Sequence, residues 1–299
     1  MQTFRGSYGP HAAFVAPARA RPDLWRTLLC LVGFAVLYVV ALRLFLQALL
    51  AISGEADGQA VLDRLARGAT PGDLVQLLFS HIEMGGAVVV VTLLVLHRGF
   101  ATLIGGWHAA WRCFVWVAVP LLALWLVMLP LAALDPSVTR NLTLSQQAPW
   151  LVPVLIGLLV QTGSEELLFR GLLQQQLAAR FDHPAVWMLV PACLFGLLHY
   201  APDAYGPMAW FVVGWAVLFG LAAADLTART GNLGAAVALH FANNASSVLM
   251  VGQTGNLDGM ALFHATSDLQ ADWSDLPSLA TEVLALLVAW LAARLILRV

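Results

Sequence analysis

The sequence predicts an all-α protein, a polytopic helix bundle that crosses a lipid bilayer about eight times. Three observations predict this fold class: 60% of the 299 residues are hydrophobic, only 11% are charged, and the apolar residues are gathered in long runs. Soluble domains carry about 25% charged residues. A helix that spans a bilayer needs about 20 mostly apolar residues. A chain with so few charges and such long apolar runs is therefore expected in a membrane.

The predicted spans are separated by turn-forming residues such as Ser53-Gly54, Asp135-Pro136-Ser137 and Gly231-Asn232. The spans cover residues 27–52, 73–97, 111–134, 150–175, 184–200, 207–227, 231–252 and 278–298. The fifth span is short and is interrupted by Pro191, so its ends are the least well defined. Residues 23–299 are predicted to form a single transmembrane domain.

The arginines predict the orientation of the chain, because positive charge is concentrated in the cytoplasmic loops of membrane proteins. If both termini are cytoplasmic, ten arginines lie inside and three lie outside. The three outside are Arg64, Arg67 and Arg140. The ten inside are Arg5, Arg19, Arg21, Arg26, Arg98, Arg112, Arg180, Arg229, Arg294 and Arg298. Residues 1–22 are polar and lack the apolar core of a signal peptide, so we expect a cytoplasmic tail. The 253–277 loop has four Asp and no Arg, which suits the outer face.

Two adjacent acids interrupt the fourth span. Ionisable residues are costly in lipid and therefore indicate function. Glu166 and Arg170 are four residues apart, so they share one helix face and are predicted to pair. Glu165 is rotated by about 100° from Glu166 and has no basic partner on its own helix. One acid would then be structural and the other free for chemistry. The alternative is a buried ion-pair network that only locks the helices together.

Two histidines fall in later spans. His199 ends the fifth apolar run, and His240 lies in the seventh span with Asn244 one turn later on the same face. A single His in an apolar helix is more often a satisfied core residue. Glu165 and His199 lie 17 and 16 residues from the turn at Asp182-His183, so the hairpin places them at the same depth. We therefore expect these side chains to converge on one cavity.

This combination of residues favours hydrolysis of an amide bond by an activated water. A Glu with a neighbouring imidazole can hold a water molecule and accept its proton. A second His and an Asn amide can donate hydrogen bonds to the oxyanion that develops on the attacked carbonyl. In the second span, Glu83 either lines the same cavity or pairs with Arg43 or with another helix.

At these positions the sequence resembles the CPBP family, which contains the CAAX prenyl endopeptidases and the bacterial Abi-type intramembrane proteases. The resemblance rests on Glu-Glu-x-x-x-Arg at 165–170, Phe-x-x-x-His at 195–199 and His-x-x-x-Asn at 240–244. The three motifs follow one another on successive predicted helices. The resemblance covers about residues 150–250, which would form the catalytic core.

The resemblance implies a role for each matched residue. The residues concerned are Glu165, His199, His240 and Asn244, with Glu166 and Arg170 as a structural ion pair. The first acid would be the catalytic base, and the first His would help it to activate water. The second His and the Asn would form the oxyanion site.

The function implied is that of an endopeptidase of the bacterial inner membrane, with both termini cytoplasmic. Its partners would be the lipid bilayer and a membrane-associated peptide or protein substrate, with no nucleic acid and no cofactor. The alternative within the same class is a zinc-dependent endopeptidase with Glu165, His199 and His240 as metal ligands. A zinc peptidase with such ligands uses a further Glu as base, and Glu166 would be occupied by Arg170. The alternative of another class is a transporter or a non-catalytic scaffold, although the sequence lacks the repeated halves common in transporters.

Overall fold

The computed structural model describes residues 8–54, 57–132, 134–265 and 276–299. Parts of the predicted tail and of the 253–277 loop lie outside the described residues. The first half of the chain consists of α1 (Gly9–Val15), a 3₁₀-helix (Ala16–Ala20), α2 (Leu24–Ser53), α3 (Gly58–Arg67), α4 (Pro71–Leu96), α5 (Phe100–Ile104) and α6 (Trp107–Ala132).

The second half begins with a short strand and then contains the three motifs. Its elements are β1 (Val138–Arg140), α7 (Leu144–Gln147), a 3₁₀-helix (Ala148–Trp150), α8 (Leu151–Glu166), a π-helix (Leu167–Gln174), α9 (Gln175–Arg180), α10 (Pro184–Leu197), α11 (Pro202–Tyr205), a 3₁₀-helix (Gly206–Met208), α12 (Ala209–Thr230), α13 (Gly234–Ala245), a π-helix (Ser246–Met250), β2 (Val251–Gln253), β3 (Phe263–Ala265) and α14 (Leu276–Leu297).

The predicted multi-pass helix bundle is confirmed. Within the described ranges, six helical stretches are long and apolar enough to cross a membrane, and the fourth runs from Leu144 to Arg180 over 37 residues. The fifth and seventh predicted spans are the shorter helices α10, which continues through Pro191, and α13 with its π-helix. Six long and two shorter helices agree with the expected number of about eight.

Small residues set the positions of the helices that carry the motifs. A Cβ atom built on Gly85 of α4 would lie 2.7 Å from the Ser164 side chain of α8, and one on Gly157 would lie 2.8 Å from Leu78. At Gly157 the close atom is the Leu78 Cβ, which leaves no room for a side chain, whereas at Gly85 it is the Ser164 hydroxyl, so these glycines let α4 and α8 approach closely. The alanine-rich α13 is almost wholly buried and packs against α6, α8, α12 and α14.

The surface of the bundle is apolar and the interior carries charge. Large apolar side chains of α2 are exposed, such as Leu28 and Val32, each 62% accessible. By contrast, Glu166 and Arg170 are 0% and 1% accessible. This distribution is expected of a protein whose outer helices contact lipid and whose polar groups meet one another inside.

A small sheet closes one end of the bundle. Its strand order is β1-β3-β2, with β3 antiparallel to β1 and parallel to β2. The side-chain amide of Asn141 donates to the backbone carbonyls of Asp258 and Ala261. The described part of the 253–277 loop is therefore tied to the segment that leads into α7.

The N-terminal segment folds onto the bundle from residue 8 onward. The Tyr8 hydroxyl donates to the Asp225 carboxylate of α12 at 2.8 Å, which also accepts from Arg229 and from the indole of Trp290. The His11 ring is 5% exposed and lies 4.3 Å from the Trp187 ring. The segment predicted as a tail is thus a packed element over these residues, and its cytoplasmic location stays a prediction.

Burial of His11 predicts that acid loosens the docked segment. Desolvation lowers the pKa of His11 to about 4, below its ordinary value of about 6.5. The undocked segment takes up a proton near that ordinary value and the docked one does not, so stability falls as the pH drops through this window. Between about pH 7 and about pH 5 the loss is about 2 kcal/mol.

The prediction is measured as the melting temperature in detergent at both pH values. His11→Phe keeps an aromatic ring against Trp187 and should remove most of the acid-dependent decrease. The exposed His108 provides the control, because His108→Phe should keep the wild-type decrease. Equal decreases in wild type and His11→Phe would contradict the assignment.

Candidate active site

The two adjacent acids lie at the end of α8, directly before the π-helix Leu167–Gln174. π-helical turns are rare and occur frequently at functional sites. The π-helix Leu167–Gln174 contains Arg170, the last residue of the first motif. A second π-helix, Ser246–Met250, follows the His-x-x-x-Asn motif directly after Ala245. Two of the three motifs thus run into or precede a π-helical segment.

The second acid is held on several sides. Arg170 donates through Nη1 to Glu166 Oε1 at 2.9 Å and through Nη2 to the carbonyl of Gly220 in α12 at 3.0 Å. A Cβ atom at Gly220 would lie 2.9 Å from Ala192 of α10 and 3.3 Å from Arg170 Nη2. The pair is fully buried, so each charge depends on the other for compensation.

Glu166 also holds His240. The His240 Nδ1 atom lies 2.9 Å from Glu166 Oε1, and a carboxylate can only accept here, so Nδ1 carries the hydrogen. The bond directs the opposite nitrogen, Nε2, towards Glu165, whose Oε2 is 3.7 Å away. A single carboxylate therefore orients both a guanidinium and an imidazole.

Glu165 is held more loosely, by neutral groups. Its carboxylate is 14% exposed and accepts a hydrogen bond from the Gln161 amide. The Nε2 atom of His81, from α4, lies 4.0 Å from Glu165 Oε1. The sequence analysis missed Gln161 and His81 as site residues. Gln161 has a readable signal, since it stands one helical turn before Glu165, whereas nothing local marks His81 as facing α8.

Asn244 is linked to the Glu165 carboxylate through the side chain of Gln161. Its Nδ2 donates to the Gln161 side-chain oxygen at 3.0 Å, and its own oxygen accepts from Asn243 at 3.2 Å. The Asn amide and His240 come from the same face of α13. The structure thus brings together both acids, Arg170, His240 and Asn244.

His199 is not brought to the carboxylate. Its Nδ1 is 2.8 Å from the carbonyl of Phe195, and its ring lies 4.5 Å from the Phe195 ring. Among the residues that the structure describes, no Asp or Glu oxygen lies within 4.0 Å of a His199 nitrogen. The Phe195 ring in turn faces His240 at 5.9 Å. The role of His199 in water activation stays a prediction.

Glu83 of α4 makes no ion pair among the described residues. Its Oε2 is buried and has no hydrogen-bond partner in the described part of the chain. No salt bridge joins Glu83 to the exposed Arg43 over the same residues. The pair with Arg43 is therefore not observed, and a place for Glu83 in the cavity stays a prediction.

The zinc ligands named from the sequence do not assemble into a metal site. Within the described ranges, no three His, Cys, Asp or Glu side chains are close enough to hold a metal ion. The geometry fails at His199, because Glu165 and His240 are neighbours while His199 bonds to its own helix. The donor set therefore does not fit a two-His-one-Glu zinc site in this conformation.

Comparisons with known proteins agree with the motifs. Residues 147–246 match the family model described as Rce1-like, type II CAAX prenyl endopeptidase. The chain is 26% identical over 255 residues to the uncharacterized protein YyaK of Bacillus subtilis (strain 168), covering 83% of this chain and 84% of that protein. No solved structure matches the chain. The family match contains all three motifs, confirms the resemblance and supports a membrane protease of the CAAX type.

The shared carboxylate predicts strong coupling between Glu166 and Arg170. Glu166→Gln or Arg170→Met alone leaves a buried charge uncompensated, which costs about 3–5 kcal/mol. The double variant should be much less destabilised than the sum of the two. Melting temperatures of all four proteins in detergent give the coupling energy.

A matched control is the ion pair between Asp23 and Arg26, whose side chains are partly exposed. Asp23→Asn, Arg26→Met and their combination should each change stability by less than about 1 kcal/mol. Additive losses at Glu166 and Arg170 would show that the two charges do not compensate each other.

Proposed function

We propose that the protein is an intramembrane endopeptidase in which Glu165 activates the attacking water. The observation that carries this proposal is the difference between two adjacent acids in one helix. Glu166 is fully buried and bonded to Arg170 and His240, whereas Glu165 faces only neutral or titratable groups and keeps partial access. A base needs a carboxylate that is free to gain a proton, and of these two acids Glu165 meets this requirement.

The reaction then follows from the geometry. Glu165 accepts a proton from water while the water oxygen attacks the carbonyl carbon of the substrate peptide bond. The tetrahedral intermediate collapses when the carbon–nitrogen bond breaks, and Glu165 returns the proton to the leaving amine. The protein forms no covalent bond to the substrate.

His240 and Asn244 are placed to stabilise the negative oxygen of that intermediate. The Asn244 amide is a neutral donor. It gives up its hydrogen bond to Gln161 and donates to the oxyanion instead. His240 already uses its Nδ1 hydrogen on Glu166, so it donates through Nε2 only as an imidazolium. The Glu166 carboxylate, which accepts from His240 Nδ1, provides the countercharge that such a cation needs.

The substrate class follows from the surroundings of the site. The catalytic group lies in the middle of a membrane-spanning helix of a multi-pass protein, so the scissile bond must enter or approach the bilayer. We propose a membrane-associated peptide or protein as the substrate and the inner membrane of a bacterium, with both termini cytoplasmic, as the location.

Glu165→Gln should abolish cleavage without unfolding the protein. The amide keeps the size and hydrogen bonding of the carboxylate but cannot accept the proton, which is a loss of at least about 10²–10⁴-fold. The assay compares wild type and variant reconstituted in liposomes. Mass spectrometry counts new peptide ends in a farnesylated CAAX reporter peptide and in an extract of membrane proteins.

Glu282→Gln is the matched control, because it makes the same change in another membrane helix, α14. It should leave cleavage at the wild-type level. New peptide ends that appear equally with Glu165→Gln would exclude Glu165 as the base. Complete absence of cleavage by wild type across both substrates would favour a scaffold or transporter.

The zinc-dependent alternative makes a different prediction about metal. It requires His199 to turn towards Glu165 and His240, and with Glu166 occupied by Arg170 it leaves only Glu83 of α4 to supply the base. We expect purified protein to hold much less than one zinc per chain and to keep its activity after a strong chelator. Elemental analysis and the cleavage assay measure both quantities. One tightly bound zinc per chain, with activity lost on removal and restored by added zinc, would establish the metalloprotease instead.

A further inference from the structure

We propose that His81 of α4 is the positioning residue that holds Glu165 during the reaction, the role that the motifs assign to His199. The inference rests on the proposed function of Glu165 as the base. It adds a residue that lies outside the three motifs and outside the 147–246 segment that matches the protease family.

The packing of α4 on α8 directs His81 at the site. Leu78 and Gly85 of α4 make the two close contacts with Gly157 and Ser164 of α8. His81 lies three residues after the first contact and four before the second, so it shares their face of the helix. The Leu78–Gly157 contact leaves no room for a side chain and brings the two helices close together. His81 therefore faces α8 at the level of Glu165, as the 4.0 Å separation shows.

The backbone determines which His81 nitrogen faces the carboxylate. Nδ1 lies 3.1 Å from the carbonyl of Leu77, and a carbonyl only accepts, so this nitrogen carries the hydrogen in the neutral ring. Nε2 then presents its lone pair to Glu165 Oε1. His240 presents Nε2 to the other oxygen, Oε2, at 3.7 Å. Two imidazoles from different helices therefore flank the two oxygens of one carboxylate.

His199 supplies an internal comparison. Its Nδ1 also bonds to the carbonyl four residues earlier, so its ring has the same tautomer as that of His81. The two rings differ in the group that Nε2 faces. For His81 this group is the Glu165 carboxylate. For His199, no carboxylate of the described residues lies within 4.0 Å. The geometry thus assigns the supporting role to the His of α4.

The role of His81 is to accept a hydrogen bond from Glu165 once Glu165 is protonated. Water gives one proton to the carboxylate, and a small rotation closes the gap from Oε1–H to His81 Nε2. The same proton passes to the leaving amine nitrogen when the carbon–nitrogen bond breaks, so His81 gains and loses none. The other titratable groups on α4 and on the surrounding helices include Glu83 of α4, Tyr38 of α2 and His240 of α13, of which His240 lies against Glu165.

The first test does not depend on cleavage. Difference infrared spectra are recorded for the protein in liposomes. The carbonyl band of protonated Glu165 is the band that is present in wild type and absent in Glu165→Gln. His81→Leu should shift this band, because the protonated carboxyl loses its acceptor. His199→Leu should leave it in place. An unchanged band in His81→Leu would overturn the proposal, whether or not the protein is a peptidase.

The second test uses the cleavage assay. His81→Leu should lower kcat by about 10- to 100-fold and change KM by less than about twofold, as expected for a group that acts through the base. His81→Gln should recover part of the loss, since its amide oxygen can accept the same bond. The exposed His108→Gln serves as the neutral control.

The outcomes separate the two proposals. A loss with His199→Leu and none with His81→Leu would overturn the role of His81 and restore the assignment made from the motifs. Equal losses with His81→Leu and His81→Gln would also count against it, because a merely structural histidine gives that result. If wild type cleaves nothing, the peptidase function fails, and a shifted infrared band would still establish the contact between His81 and Glu165.

Discussion

The buried carboxylate of Glu166 is the interaction on which the rest of the site depends. It accepts from Arg170 on its own helix and from His240 on α13, while Arg170 continues to the Gly220 carbonyl of α12. Three membrane helices therefore meet at one charge. An unpaired charge at this position would cost several kcal/mol, so the helices keep the relative rotation that satisfies it. The direction of the His240 ring, and with it the proposed oxyanion site, follows from this bond.

The local part of this arrangement could be predicted from the sequence. Pairing of Glu166 with Arg170, and the common face of His240 and Asn244, follow from the 3.6-residue period of a single helix. The membrane spans follow from composition and run length, as the six long helices show. The relative positions of residues three or four apart are fixed by the regular geometry of the helix, so residue types at a given spacing are sufficient to infer them.

Contacts between side chains of different helices could not be predicted from the sequence. The turn between the fourth and fifth spans places Glu165 and His199 at the same depth, but depth does not determine the direction in which each side chain points. His199 turns to the Phe195 carbonyl of its own helix. His81 reaches Glu165 because Gly85 and Gly157 allow α4 to approach α8. This close approach is a property of two distant segments, and no spacing within either segment reveals it.

The contrast between the two acids also gives a physical basis for the proposed role of Glu165 as a base inside a membrane. A carboxylate that is compensated by a buried arginine stays charged and fixed, which stabilises the fold but leaves it unable to gain a proton at low cost. Glu165 has no arginine partner. The Gln161 amide donates to its charged form, and the Nε2 atoms of His81 and His240 face its oxygens, where they can accept from its protonated form. Because the two acids are adjacent, the contacts that hold Glu166 in place also restrict the position of Glu165. In the proposed mechanism the motif therefore needs both acids, one to hold the helices and one to change its protonation during the reaction.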